Sequence, residues 1–200
     1  MSPPVRAVHA AHPSPSAIPS VRGTLVAGVV GAVGELWGDA GLRQVSDQLG
    51  PEARHALCEQ IVVPVAWYPE EIMASWCHAV WLGLAREDEK RFDTFVRAGV
   101  EHGWSWVHRA LLRLATPRLL ARRAPAIWRH DHTHGELGVE LGDRRAILRV
   151  TDYPHARSAV MRRGQTESLR HILTLARFRD VRASHVVDAA GSFVATLHWT

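Results

Sequence analysis

The chain has 200 residues, 46% of them hydrophobic and 22% charged, enough for one domain with a sizeable core. That composition excludes a disordered chain, a coiled coil and a collagen-like fibre, and two cysteines exclude a disulfide scaffold or a Cys-rich zinc protein. The net charge of +4 is uneven: residues 1–100 carry 8 basic and 11 acidic side chains (net −3), residues 101–200 carry 16 and 9 (net +7).

Residues 1–20 hold five prolines and four serines without periodicity, a tail that cannot bury enough surface to order itself. Pro13, Pro15 and Pro19 interrupt any secretory apolar core, so a cytoplasmic chain is expected. The apolar stretch Gly23–Trp37 contains Glu35 and is too short to span a bilayer. From residue 21 a single domain to residue 200 is predicted.

Its first part reads as helices. Gly28, Gly31 and Gly34 recur every three residues with no strand before them, which suits close helix packing better than a phosphate loop. Val62 to Trp67, interrupted by Pro64, reads as a buried connector. Pro69-Glu70-Glu71 is a helix start, and Ile72, Trp76, Val80 and Leu84 then form one apolar stripe. Residues 86–91 read as a solvated turn. A longer stripe follows through Phe92, Phe95, Val96, Gly99, Gly103, Trp106, Val107, Ala110, Leu111 and Leu114. Thr116-Pro117 predicts an N-cap and first helical residue, opening a helix to about Arg123.

After Ala124-Pro125 the period falls toward 2. Leu137, Val139 and Leu141, then Ala146, Leu148 and Val150, alternate on either side of Gly142-Asp143, a hairpin signal. A helix carrying Leu169, Ile172, Leu173 and Ala176 precedes two further strands, Val181–Asp188 and Phe193–Trp199. The predicted class is α+β: a helical N-terminal half packed on a four-stranded antiparallel sheet, with a ββαββ finish.

Three features compete as sites. His130-Asp131-His132-Thr133-His134 would bring three imidazoles to one side of an extended chain, suited to Zn²⁺, Ni²⁺ or Cu²⁺; the other reading is an exposed hairpin loop. Eight tryptophans, including Trp67, Trp76, Trp81, Trp104, Trp106 and Trp128, wall either a ligand pocket or a core and dimer interface. The pocket expected between helices is lined by Trp76, Val80, Phe95, Gly99, Gly103 and Trp106. Arginines 118, 122, 123, 129, 144, 145, 149, 157, 162, 163 and 170 give a solvated face, a phosphate-binding surface or a seat for an acidic protein. No DNA-reading or RNA-reading motif accompanies them, so nucleic acid is not the expected partner. Nucleophile-elbow, P-loop and dinucleotide motifs are absent from the sequence, and no catalytic residue is predicted.

Arg22-Gly23-Thr24, Trp67-Tyr68-Pro69, Arg97-Ala98-Gly99, the run Leu111 to Pro117 and the tryptophan-bearing last strand resemble a paralogous domain of unknown function abundant in myxobacteria. Through it the chain is similar to the superfamily of haem NO-binding domains, 4-vinyl-reductase-type domains and TRAPP core subunits. The resemblance covers residues 21–200. It implies a ligand-binding or interaction module, a homodimer or a subunit of a larger assembly, with an apolar cavity between helices and sheet.

The resemblance also implies an axial histidine and a Tyr-x-Ser-x-Arg clamp in the haem-binding branch. Here Tyr153-Pro154-His155-Ala156-Arg157 has His155 in place of the serine, and His78, His102 and His108 lack the family context. The expectation is therefore a non-enzymatic module that senses a small apolar ligand or docks a protein, without haem or another cofactor. The alternatives are a metal-binding protein using His130, His132 and His134 and, further off, a nucleic-acid-binding regulator acting through the arginine-rich second half.

Overall fold

The structure, a computed structural model, describes residues 18–103 and 110–200. Trp104, Trp106, Val107 and His108, and residues 1–17 of the expected tail, lie outside the described residues.

A short strand, β1 (Ser20–Arg22), pairs antiparallel with β2 (Trp67–Pro69), Val21 opposite Tyr68. Between them run α1 (Gly23–Ser46), α2 (Pro51–Arg54) and a wide turn, His55–Glu59. α1 is long and apolar enough by length and composition to cross a bilayer, which the sequence reading excluded. Here it packs against α4 (Glu89–Gly103), and Val26, Ala32, Val33 and Val45 are buried. It breaks at Gly38, whose φ of 61° is left-handed backbone that glycine tolerates best.

The glycine spacing is explained by that packing. A Cβ on Gly28 would stand 2.5 Å from the Gly99 carbonyl oxygen and 3.2 Å from the Gly103 Cα, so α1 and α4 approach backbone to backbone. The connector expected over 62–67 is irregular up to residue 66, with Trp67 opening β2, and it is not buried: Val63 and Val65 are exposed. Its backbone instead serves the start of α1, with Pro64 and Ala66 oxygens accepting from Thr24 and Gly23.

α3 (Glu70–Ala79) continues into a wide turn, Val80–Leu84, closed by Ala85 N–H donating to the Val80 oxygen at 2.8 Å. The predicted stripe is real: Ile72, Trp76, Val80 and Leu84 are all buried. On α4, Phe92, Phe95, Val96 and Gly99 are buried likewise. The extension of that stripe fails at Leu111 and Leu114, which are exposed.

α5 (Pro117–Asp131) starts where Thr116 Oγ1 accepts from Leu119 N–H, but it runs on through Pro125 to Asp131. The strand signal therefore begins at residue 136, not after Pro125. β3 (Glu136–Gly142) and β4 (Arg145–Thr151) form the predicted hairpin, Gly142 opposite Arg145. α6 (Ala159–Leu175) follows, capped by Ser158, and then β5 (Arg182–Val187) and β6 (Phe193–His198). The sheet order is β3-β4-β6-β5, wholly antiparallel. One face carries Leu148, Val150, Phe193, Ala195 and Leu197 into a second core cluster with Trp128, Tyr153 and Leu173. The first cluster belongs to the helical half, and Met161 of α6 joins it. The architecture is α+β, as predicted.

Candidate functional site

A cavity of about 260 Å³ lies between the two clusters, walled by α1, α3, α4, α5, α6 and the inner face of the sheet. The volume is a little under the roughly 300–1,000 Å³ of ordinary small-molecule pockets. Its walls are dominated by aliphatic and aromatic side chains such as Val29, Phe92, Leu120, Leu169 and Leu197. α5 contributes residues 117, 120, 121, 124, 127, 128 and 131, the spacing of one helical face. Of the six residues predicted to line a pocket, Phe95, Gly99 and Gly103 do so. Trp76 and Val80 instead lie in the helical core, fully buried, with Trp76 Nε1 donating to the Val29 oxygen at 3.2 Å. Trp106 is outside the described residues.

His132 is the one imidazole on the cavity wall among the described residues. The predicted histidine cluster does not converge. His130, in the last turn of α5, is exposed and bonded to Asp131 (2.8 Å), and His134 meets Thr133 Oγ1 (3.0 Å). Neither reading of the cluster holds for His132, which is buried rather than looped into solvent. Its segment adds to β1: Val21 bridges His132, and Thr133 N–H donates to the Ser20 oxygen at 2.9 Å. Among the described residues no group of three or more His, Cys, Asp or Glu side chains could hold a metal ion, which sets aside the metal alternative.

The partner of His132 left no sign in the sequence. Glu70, first residue of α3, is 1% exposed, and its Oε1 lies 2.8 Å from His132 Nδ1. A carboxylate accepts, so Nδ1 is the donating nitrogen of the ring. The start of α3 favours the Glu70 charge through its dipole, and Glu70 N–H donates to the Pro19 oxygen. Glu70 Oε2 is buried with no hydrogen-bond partner. Trp128 stacks on the other side of the imidazole, centroids 3.9 Å apart and planes within 11°. Trp128 is itself fixed by Nε1 donating to the oxygens of His134 (3.2 Å) and Gly135 (3.0 Å). The pair Glu70–His132 is thus held by β1, α3 and α5 together.

Two neighbouring groups are kept neutral. Cys77, also on the cavity wall, has its thiol pushed up to about 12 by burial. Burial, then the nearby Glu70 carboxylate, raise the Tyr153 phenol far above its ordinary value. Tyr153 meets Trp128 edge-on in the second cluster, while Arg157 is exposed, and neither lines the cavity. No arginine or lysine is among the cavity-lining residues.

The arginines of the second half divide. Arg163 binds Asp93 and Glu89, Arg170 binds Glu167, and Arg149 pairs with Asp188, all structural links. Arg118, Arg122, Arg123 and Arg129 stand exposed along α5.

No protein-family model matches the chain, and no curated protein matches it. Solved structures do. An iron(II) unliganded H-NOX protein from K. algicida is 10% identical, with 90% of this chain and 96% of that chain covered at a TM-score of 0.61. An oxygen-binding H-NOX domain related to soluble guanylate cyclases, solved as its oxygen complex, is 8% identical (90% and 95% covered, TM-score 0.58). A third, from work on haem distortion in the H-NOX family, is 9% identical with the same coverage and TM-score. These neighbours correct the expectation of a chain without a cofactor, because the fold to which it is similar is one described with haem. Over nine-tenths of its length the chain has the fold of H-NOX domains.

Proposed function

We propose that this domain is a non-enzymatic sensing module whose cavity takes a flat, apolar ligand of the haem class, with His132 as the side chain that meets the iron. The observation that carries this reading is the Glu70–His132 pair on the wall of an apolar cavity. Metal-ligating histidines nearly always give their other ring N–H to a carboxylate or carbonyl, which fixes the ring and raises its basicity. His132 has that arrangement, with Trp128 holding the ring plane.

The fit lies at the iron end. His132 would be the residue to hold the iron of such a group, which when bound would supply a site for a diatomic gas. The cavity walls supply no cation for its propionates. The cavity is also compact, so uptake is expected to part α5 and α6 from α4. Apolar walls exclude water from whatever is bound.

Hemin titration of the full chain tests this, followed at the Soret band. The expected result is saturation at one hemin per chain, with a band position that changes in His132→Ala. A wild-type spectrum identical to free hemin at every ratio would overturn the reading.

A further inference from the structure

Residues 110–130 contain five arginines (113, 118, 122, 123 and 129) and no aspartate or glutamate. All five are exposed, and among the described residues none makes an ion pair or a side-chain hydrogen bond. This sets them apart from Arg149, Arg163 and Arg170, each tied to a carboxylate. Aliphatic side chains stand among them in solvent: Leu111 is 60% exposed, Leu114 81% and Leu119 38%. Leu114 lies in the turn before Thr116, where the chain corners into α5.

The face of α5 that lines the cavity is spoken for, so residues 118, 119, 122, 123 and 129 form the outer face of the same helix. An outer face of unopposed positive charge asks for a polyanion. Exposed leucines between the arginines ask for a partner with an apolar layer just beneath its charge. An anionic lipid surface has both: arginines lie at the headgroups while leucines enter the acyl boundary. Nucleic acid presents phosphates and polar base edges, and gives Leu111 and Leu114 nothing to enter.

We infer that the 110–130 surface docks the domain peripherally on an anionic membrane, with Leu111 and Leu114 as the inserted residues and Arg113, Arg118 and Arg122 as the headgroup contacts. The inference does not rest on what fills the cavity.

Vesicle flotation of the full chain tests it, using phosphatidylcholine alone and phosphatidylcholine with about one-third phosphatidylserine. Binding to the anionic vesicles alone is expected, weakening as salt rises. At the free-energy scale of a basic residue near such a surface, Arg118→Gln with Arg122→Gln lowers the partition coefficient roughly 30-fold. Leu114→Ser lowers it several-fold, with thermal melts of both variants unchanged because the side chains are exposed. No binding to anionic vesicles, or binding that the arginine variant leaves unchanged, overturns the inference. Full retention of Leu114→Ser overturns it too, since that marks a charge-only contact of the kind an acidic protein makes.

Discussion

His132 Nδ1 and Glu70 Oε1 meet at 2.8 Å with side chains only 6% and 2% exposed, joining two residues 62 positions apart in the chain. The contact ties the end of α5 to the start of α3, and with it the wall of the cavity to the helical core. Breaking a buried pair by removing one partner strands the other without compensation.

His132→Ala and Glu70→Ala are therefore each expected to cost about 3–5 kcal/mol. In a chain of this length each kilocalorie lowers Tm by about 2–4 °C, so a drop near 10 °C is the expected reading in a thermal melt. The double variant is expected to fall well short of the sum, because the stranded partner is gone. Strict additivity in the double-mutant cycle would contradict the pairing.

Two glycine substitutions are expected to act in opposite directions. Gly28→Ala drives a methyl group against the Gly99 carbonyl at 2.5 Å, and parting α1 from α4 costs about 1–3 kcal/mol, as overpacking does. Gly164→Ala, on the cavity side of α6, meets Phe92 at 3.8 Å, an ordinary contact. It gains about 0.8–1 kcal/mol of helix propensity. Urea midpoints at constant m-value measure both.

Much of this fold could be read in the sequence because periodicity reports burial directly. The stripe Ile72, Trp76, Val80, Leu84 and the alternation in β3, β4 and β6 needed no partner to be recognised. Pro125 misled, since α5 carries it in its interior and ends six residues later. Val21 and Tyr68 gave no local sign of pairing, because three-residue strands have no period to detect. The site was half legible. The histidine run drew attention to His132 as part of either an exposed loop or a metal trio, where the structure shows a single buried ring bonded to a distant carboxylate. Glu70 looked like a helix-start charge beside Glu71; only the approach of β1 and residues 132–133 buries it.

The two cysteines are expected to differ in reactivity. Cys58 is exposed and Cys77 buried, so iodoacetamide should label one thiol per native chain and two after denaturation.

Burial also makes Cys77 a source of pH dependence. Its thiol ionises near 9 when unfolded and only at about 12 when folded. The unfolded chain thus loses its proton first, and stability is expected to fall as pH rises from about 9 toward 12. Urea denaturation at pH 8 and pH 10.5 should show that loss, and Cys77→Ala should remove its Cys77 component.

The proposed sensing role depends on the cavity itself accepting the ligand. Native mass spectrometry of the full chain equilibrated with hemin measures this, comparing wild type with Ala121→Phe, which places a ring on the cavity wall of α5. One added hemin mass on wild type, lost in Ala121→Phe at equal folded content, is the predicted result. Equal uptake by both chains, or none by wild type, would contradict it.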